Sequence, residues 1–499
     1  MSKDIFLGVD IGTSSSKGVA VDGDGNLLAT AVREHRVDRP APGIVEMDGS
    51  VWWDEFCSLS RELLEHAPGG FAAVSVSGMG PCVQLTDADN HPTTPSALYG
   101  VDTRATAQIA ALNAELGADA IYERSDSYLS NQSAGPKFRW FAAHRPEAYE
   151  RSRRFHMPAS LIVARLTGEY VLDRQSASQS TPLYDAASQE WARDWAEVVA
   201  PGIELPRLAW AGDQAGVVHA AGADAAGLRE GTPVAVGTID AWAEGLSVGA
   251  VEHGDLMLMY GTTMFFVGNT DHRVQHPSMW GTTGLREGQW NMAGGMATSG
   301  AITSWLRELF GNPDFATLVD EAAASRPGAR GLLMLPYFEG ERTPIQDPFA
   351  RGTITGLTIG HTRGDLYRAA LEATAYGVRH NIETYRDAGV PIDRIVAVGG
   401  GTQSALWPQI VSDATGLPQV ITEKSVGAAY GDAFLAARLL DPSISIREWN
   451  PAREVVEPRA HEAYAVGYGH YRELYEQTKD IQHALARAQR DSDDVVPET

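Results

Sequence analysis

The sequence predicts an α/β protein, and three observations carry that expectation. Apolar, strand-length runs alternate with amphipathic helical stretches across short turn clusters. The stretch Ile5 to Val21 reads as a buried strand, a glycine and hydroxyl turn, and a second strand. The same pattern returns from Asp255 to Gly268, as DLMLMYGTTMFFVG. With 499 residues, 43% hydrophobic and 21% charged, the chain is long enough for roughly two to four domains with sizeable cores.

The first hairpin places Asp10 at the end of a strand, followed by IGTSSSK. Such a turn offers backbone N–H groups and the hydroxyls of Thr13 and Ser14 to an anion, and the Asp10 carboxylate can hold a magnesium ion or its water shell. A plain hairpin turn satisfies the same letters. The second copy supplies Gly261, Thr262 and Thr263. No short-period repeat is visible, so the pair reads as an old duplication, with two turns able to grip one polyphosphate from both sides of a cleft.

Further along, Ala73 to Ser77 and Val83 to Thr86 read as strands, and Arg104 to Leu116 and Lys137 to Ala143 as helices, the latter stopped by Pro146. Thr181 to Pro206 reads as a helix with loops. A strand at Thr232 to Gly237 leads into TIDAWAEG, and the domain boundary falls between Val248 and Gly254. That divides the chain into an N-terminal domain, 1–248, and a C-terminal domain, 249–490. Asp365 to Ala388 forms a long amphipathic helix with Leu366, Ala369, Ala370, Ala373 and Tyr376 on one face, closed by Gly389. Ile395 to Val398 is a strand running into Gly399, Gly400 and Gly401, and a helix from Ala405 to Thr415 stops at Gly416. The acidic segment 491–499 is expected to be disordered.

Composition narrows the partners. A net charge of −24 argues against nucleic acid and anionic membrane surfaces, so an anionic ligand must meet a local site. Two cysteines, Cys57 and Cys82, give neither a disulfide framework nor zinc spacing, which favours a reducing compartment. No apolar run reaches a membrane span, and the start lacks a secretory pattern, so a cytoplasmic location is expected.

Two chemical features stand out. TIDA puts Asp240 at the carboxyl end of a strand, where open α/β sheets carry reactive groups; a carboxylate there can accept a substrate hydroxyl proton, although from this residue alone a helix N-cap is the favoured reading. The triple glycine lets a flat ligand such as adenine approach the backbone, with Gln403 and Ser404 nearby, or forms only a tight strand-to-helix turn. It is not a GxGxxG fingerprint, which disfavours a Rossmann dinucleotide site.

DIGTSSSK, GTIDA, YGTT and VGGGTQS, in that order, resemble the FGGY family of carbohydrate kinases, xylulokinase-like members in particular. Gly352 to Glu372, GTITGLTIGHTRGDLYRAALE, is similar to the family's second signature, and SAGPKFRW around Lys137 more weakly to its first, with Ala134 where a small hydroxyl residue or proline is usual. The resemblance spans essentially the whole chain. It implies two actin-like, ribonuclease-H-like domains with ATP in the cleft between them, and an expected homodimer. It further implies Asp240 as general base and Asp10 with Thr13 at the magnesium and phosphate end. Gly261, Thr262 and Thr263 become the second phosphate loop, Gly400, Gly401 and Gln403 the border of adenine, and Lys17 either a phosphate contact or a solvated lysine.

The sugar site is the weaker part of the resemblance. Where xylulokinase-like members carry a Gln-Met-His-Gly run, this chain reads Gly78, Met79, Gly80, Pro81, Cys82, and Ala241 follows the catalytic aspartate. Met79 keeps its place as a substrate candidate, but hydroxyl partners must come from elsewhere, since unpaired buried polar groups cost roughly 1–3 kcal/mol each. Candidates are Asp102 and Arg104 in YGVDTRA, which resembles the family's WNDxR segment, and Trp52 or Trp53 as an apolar wall, for which helix packing is the favoured reading. Glu341 and Arg342 read as an ion pair on a cleft lip or on a surface loop. Three function classes follow: an ATP- and Mg2+-dependent kinase of a ketose or polyol, which is favoured; a non-catalytic actin-like ATPase with protein partners; and a sugar-binding regulator without catalysis.

Overall fold

The computed structural model describes residues 4–493. Its first lobe is built on strands β1 (Ile5–Ile11), β2 (Ser15–Asp22), β3 (Leu27–Glu34), β4 (Ala73–Gly78), β5 (Gln214–Val217), β6 (Pro233–Ala235) and β7 (Thr238–Ile239). The order is β5-β6-β4-β1-β2-β3, with β7 also paired to β4. The first three strands form an antiparallel meander, whereas β1, β4, β6 and β7 run parallel. Helix α1 (Gly49–Leu63) covers one face and α2 (Asp240–Ser247) follows β7 directly.

The second lobe repeats the plan. Strands β8 (Asp255–Tyr260), β9 (Met264–Thr270), β10 (Trp280–Thr283), β11 (Trp290–Met296), β12 (Arg394–Val398), β13 (Gln419–Thr422) and β14 (Ala452–Val456) are ordered β10-β11-β9-β8-β12-β13-β14. Again an antiparallel hairpin opens the sheet and β8, β12 and β13 run parallel. Its helices are α3 (Gly300–Leu309), α4 (Arg363–Asp387), α5 (Leu406–Thr415), α6 (Ala428–Leu440) and α7 (Glu462–Asp493). Thr362 caps α4 in a reciprocal box with Asp365, which fixes the start of that long helix.

Strand β1 is apolar up to Asp10 because both its faces are covered. Leu7, Val9 and Ile11 join the core under α1, while Phe6 packs with α6. That second contact crosses between lobes: α6 follows β13 in the chain yet lies on β1 and against α2. Only glycine permits so close an approach. A Cβ at Gly8 would stand 2.0 Å from the Ala429 carbonyl oxygen, and one at Gly431 would stand 2.1 Å from that of Ala243. The two lobes are therefore joined by a crossed helix pair, α2 over α6, and this part of the second half belongs physically to the first sheet.

Two expectations need correction. Thr181 to Pro206 is not mainly helical: it holds a small ribbon, Tyr184–Asp185 with Glu190–Trp191, and one short helix, Arg193–Val199. Tyr184 and Trp191 are buried there, so tertiary packing decides the conformation. Of the acidic segment 491–499, residues 491–493 form the end of α7, and 494–499 lie outside the described residues.

Candidate active site

Parallel strands deliver the site's carboxylates to one sheet edge. Asp10 near the end of β1 stands in register with Ser77 of β4 and Lys17 of β2, and Ile239 of β7 pairs with Gly78, which brings Asp240 alongside. Asp240 opens α2, so Glu244, one helical turn later, lies on the same side. A fourth carboxylate arrives from α6: Asp432 accepts a 2.6 Å hydrogen bond from the Ser77 hydroxyl.

Burial dominates the electrostatics of this group. Asp10 is pushed well above the usual carboxylate range by burial and then by Asp240 and Glu244, with Lys17 and Ser77 offsetting part of the rise. Burial raises Asp240 to about 6, against the 2.7 Å hydrogen bond it accepts from the Ala241 N–H. Glu244 rises to about 7 through burial, eased by Lys17 and worsened by Asp240. Asp432 is raised by burial and by Asp10. Oδ1 of Asp10 and Oδ1 of Asp432 are buried with no hydrogen-bond partner among the described residues. Such a cluster is costly in isolation and is suited to a cation or a proton transfer.

The glycine and hydroxyl turns are braced from behind. In the first, Thr13 Oγ1 lies 3.0 Å from the Tyr99 hydroxyl, and the His35 ring bridges the Gly12 carbonyl at 3.1 Å and the Glu55 carboxylate at 2.9 Å. Lys137, buried, donates to the carbonyls of Leu98 (2.6 Å) and Tyr99 (3.1 Å) and so fixes the Tyr99 backbone. In the second, the carbonyls of Gly261 and Thr262 accept from the N–H groups of Ser299, Gly300 and Ala301 at the start of α3. The glycine run sits on this same corner, but not as a uniformly bare platform. Gly399 has φ +96°, and a Cβ there would stand 2.5 Å from the Tyr260 carbonyl oxygen; Gly401 packs on the Tyr260 and Trp407 side chains; only Gly400 faces open space.

Between the corners lies one cavity of about 390 Å3. Asp10, Asp240, Glu244 and Tyr99 line it from the first lobe, and Thr263, Phe265, Trp280, Thr282 and Arg342 from the second. Of the two turns foreseen as partners across a cleft, the second reaches this chamber with Thr263, while the first hairpin contributes Asp10 at the end of its strand and not Thr13 or Ser14. The rest of its polar lining comes from residues that sequence reasoning did not single out: Ser127, Ser130 and Gln132, then Ser178, Gln179 and Thr181, with Thr282 opposite. Gln179 Nε2 and Thr282 Oγ1 have no hydrogen-bond partner among the described residues. These residues lie in loops and short elements, where periodicity carries no signal.

Several sequence candidates are placed elsewhere. Met79 is buried in the first lobe's core and does not line the chamber. Asp102 and Arg104 form a buried ion pair at 2.7 Å, with Arg104 also 3.0 Å from Glu46 and stacked 4.7 Å over Trp140, while Asp102 accepts the Val45 N–H. They brace the segment below Tyr99 rather than face a sugar. Trp52 is fully buried, with its Nε1 on Met47, and Trp53 stacks on Phe56. Lys17 donates to the Val426 carbonyl before α6, which ties the lobes together; it does not line the chamber, but it lies near enough to Asp10 and Glu244 to ease the rise of both. Glu341 and Arg342 form no ion pair with each other: Glu341 Oε1 accepts from the N–H groups of Ala297 and of Arg342 itself, at 2.7 and 2.8 Å.

Comparison with known proteins agrees with this geometry. Residues 5–246 match the N-terminal domain, and residues 256–440 the C-terminal domain, of the FGGY family of carbohydrate kinases. The solved structure of xylulose kinase from Rhodospirillum rubrum superposes with a TM-score of 0.89 at 30% identity, covering 96% of this chain and 99% of that one. The xylulose kinase of Staphylococcus epidermidis is 27% identical over 495 residues, 96% of this chain and 98% of its own. The glycerol kinase of Variovorax paradoxus is 29% identical over 450 residues, 86% and 90% of the two chains. The chain belongs to the FGGY family of carbohydrate kinases. It is a phosphotransferase with ATP as co-substrate and a small carbohydrate as acceptor, in a two-lobed α/β fold.

Proposed function

We propose that the acceptor is a ketopentose such as xylulose, and that Asp240 is the general base. The shared chamber carries the reading. What supports it is that Asp240, following a strand end, lines one pocket with Asp10, with Thr263 of the second hydroxyl turn and with a wall of Ser, Thr and Gln side chains. In the reaction, the acceptor oxygen bonds to the terminal phosphorus of ATP as the bond to the β-phosphate oxygen breaks. The hydroxyl proton goes to Asp240, and ADP leaves with the electron pair. Burial serves this step, because a carboxylate near 6 is a stronger base than one at its ordinary value.

The residues present fit Mg2+ as the nucleotide's counter-ion. Asp10 offers a buried, unpartnered oxygen within a set of hard carboxylate donors. Among the described residues no three such side chains converge to chelate a bare ion, which suits a cation that keeps its waters and nucleotide oxygens. When bound, Mg2+ would neutralise phosphate charge beside Asp10. Thr13 with Ser14, and Gly261 to Thr263, are the phosphate turns, and Gly400, Gly401 and Gln403 border the adenine. The working compartment is the cytoplasm, where ATP and reduced Cys57 and Cys82 are both at home.

The similarity to glycerol kinase and the absence of polar side chains from 78 to 82 favour one specific second reading, a polyol or another ketose as acceptor. A panel of pentuloses, hexuloses, alditols and aldonates, assayed with ATP and Mg2+ for ADP release, separates the two. Xylulose should give the highest kcat/KM. Preference for an alditol would overturn the ketopentose assignment, and ADP release unaffected by any acceptor would overturn acceptor phosphorylation by this site.

A further inference from the structure

Among the described residues Arg342 is the one guanidinium lining the chamber, and the protein presents it on a clamped main chain with its side chain free of protein partners. On one side, Glu341 is clamped by its carboxylate to the N–H groups of Ala297 and Arg342. On the other, the Thr343 N–H donates to the Gly295 carbonyl at 3.1 Å, and the Thr343 hydroxyl accepts from the Gly295 N–H at 2.8 Å and donates to Asn381 at 2.6 Å. Both anchors tie the segment to β11, which pairs with β9 behind the second phosphate turn. Between them the Arg342 side chain is exposed and makes no hydrogen bond or ion pair with any described residue, although Asp10, Asp240 and Glu244 line the same chamber. Across the cleft, it is close enough to Tyr99 to favour that phenol's ionised form, against burial and the Asp240 charge that disfavour it. Tyr99 in turn reaches Thr13 of the first turn.

A preorganised cation with no partner, aimed at a space lined by carboxylates, needs an anion brought by a ligand. Lys17 donates to the Val426 carbonyl and Lys137 to those of Leu98 and Tyr99, and neither lines the chamber. We infer that Arg342 is a catalytic residue of the phosphoryl transfer, its guanidinium contacting the terminal phosphoryl group of ATP from the second lobe. The inference rests on the ATP-dependent reaction of the family and not on which carbohydrate is the acceptor. Its contribution is electrostatic: negative charge spreads over the three equatorial oxygens as the β,γ bridge breaks, and a fixed fork of donors meets it.

The test uses Arg342→Gln and Arg342→Lys in the full chain. Expected for Arg342→Gln is a fall in kcat of about a hundredfold, with the acceptor KM within about threefold of the parent, and partial retention for Arg342→Lys. By calorimetry, Arg342→Gln should weaken the β,γ-imido analogue of ATP about tenfold and leave ADP unchanged. Guanidinium added to Arg342→Gly should restore part of kcat. Unchanged discrimination between the imido analogue and ADP would overturn the inference, as would a rise confined to the acceptor KM. The nucleotide-binding arm needs no acceptor, so it decides the role of Arg342 even if the ketopentose assignment fails.

Discussion

Asp240→Asn is the most direct test of the chemistry. The substitution keeps the shape of the side chain and its oxygen, which can still accept the 2.7 Å bond from the Ala241 N–H, so α2 keeps its start. What disappears is the proton acceptor. General-base assistance accounts for roughly 10²–10⁴ in rate, so kcat should fall by about 3–5 kcal/mol in barrier terms. Nucleotide affinity should change little. Stability should not fall, because the variant removes one of four mutually repelling carboxylates, of which Asp432 is buried and the others half-buried, a group whose rise to about 6 already marks its charge as disfavoured. The same rise predicts that kcat/KM of the parent enzyme increases with pH through about 6, as Asp240 loses its proton, and that the residual rate of Asp240→Asn lacks this limb. Steady-state kinetics across pH, paired with thermal denaturation, reads all three quantities. Retention of kcat within about threefold, with the acid limb intact, would refute the general-base assignment.

Tyr99→Phe removes the hydroxyl that meets Thr13 and should lower kcat about fivefold, equivalent to one hydrogen bond of ~1 kcal/mol, without changing the melting temperature by more than a few degrees; an unchanged rate would separate Tyr99 from the phosphate turn. Gly431→Ala inserts a methyl group 2.1 Å from the Ala243 carbonyl and must separate α2 from α6, so denaturant unfolding should show a loss of about 1–3 kcal/mol and activity should drop with it. His156 is fully buried with Nε2 on Asn90 Oδ1, and burial followed by Arg154 lowers it to about 3. The unfolded chain then binds the extra proton first, so stability is lost as pH falls from about 6.5 towards 3, about 2 kcal/mol of it by pH 5. His156→Gln should flatten that slope in urea titrations at several pH values; an unaltered slope would place the acid sensitivity elsewhere.

How much of this was legible beforehand follows from where each residue's signal resides. The two hairpins were readable because an apolar run, a glycine with hydroxyls and a second apolar run are a local pattern, and α4 was readable from its periodic face and Gly389. The polar wall of the chamber was not, because Ser130, Gln179 and Thr282 are brought together only by tertiary contacts. Asp432 sits in AAYGDAFLAA, a stretch whose small residues announce close helix packing but not which sheet the helix covers. Lys17 alternates with buried residues along β2 just as a solvated lysine would, and its partner Val426 is some four hundred residues away in sequence. Asp102 and Arg104 misled for the opposite reason: a buried ion pair that stiffens a wall and a pair that reads a sugar use the same letters.

The crossed helices also constrain how the lobes can move. Asp240 begins α2, Asp432 lies within α6, and the two helices touch backbone to backbone at Gly431, so both carboxylates ride on the joint itself. If closure pivots on this crossing, rotation displaces groups in proportion to their distance from it. Asp240 and Asp432, carried by the crossing helices, then move least. Direct bonds resist wide opening on one flank: Asp126 of the first lobe receives Arg273 Nε at 2.9 Å, its carbonyl accepts the Gly281 N–H at 3.2 Å, and the Tyr184 hydroxyl lies 3.0 Å from Thr283 Oγ1. A closure that keeps these bonds hinges along that flank, and the compaction it predicts is read by small-angle scattering with and without ATP and xylulose; unchanged scattering would refute it.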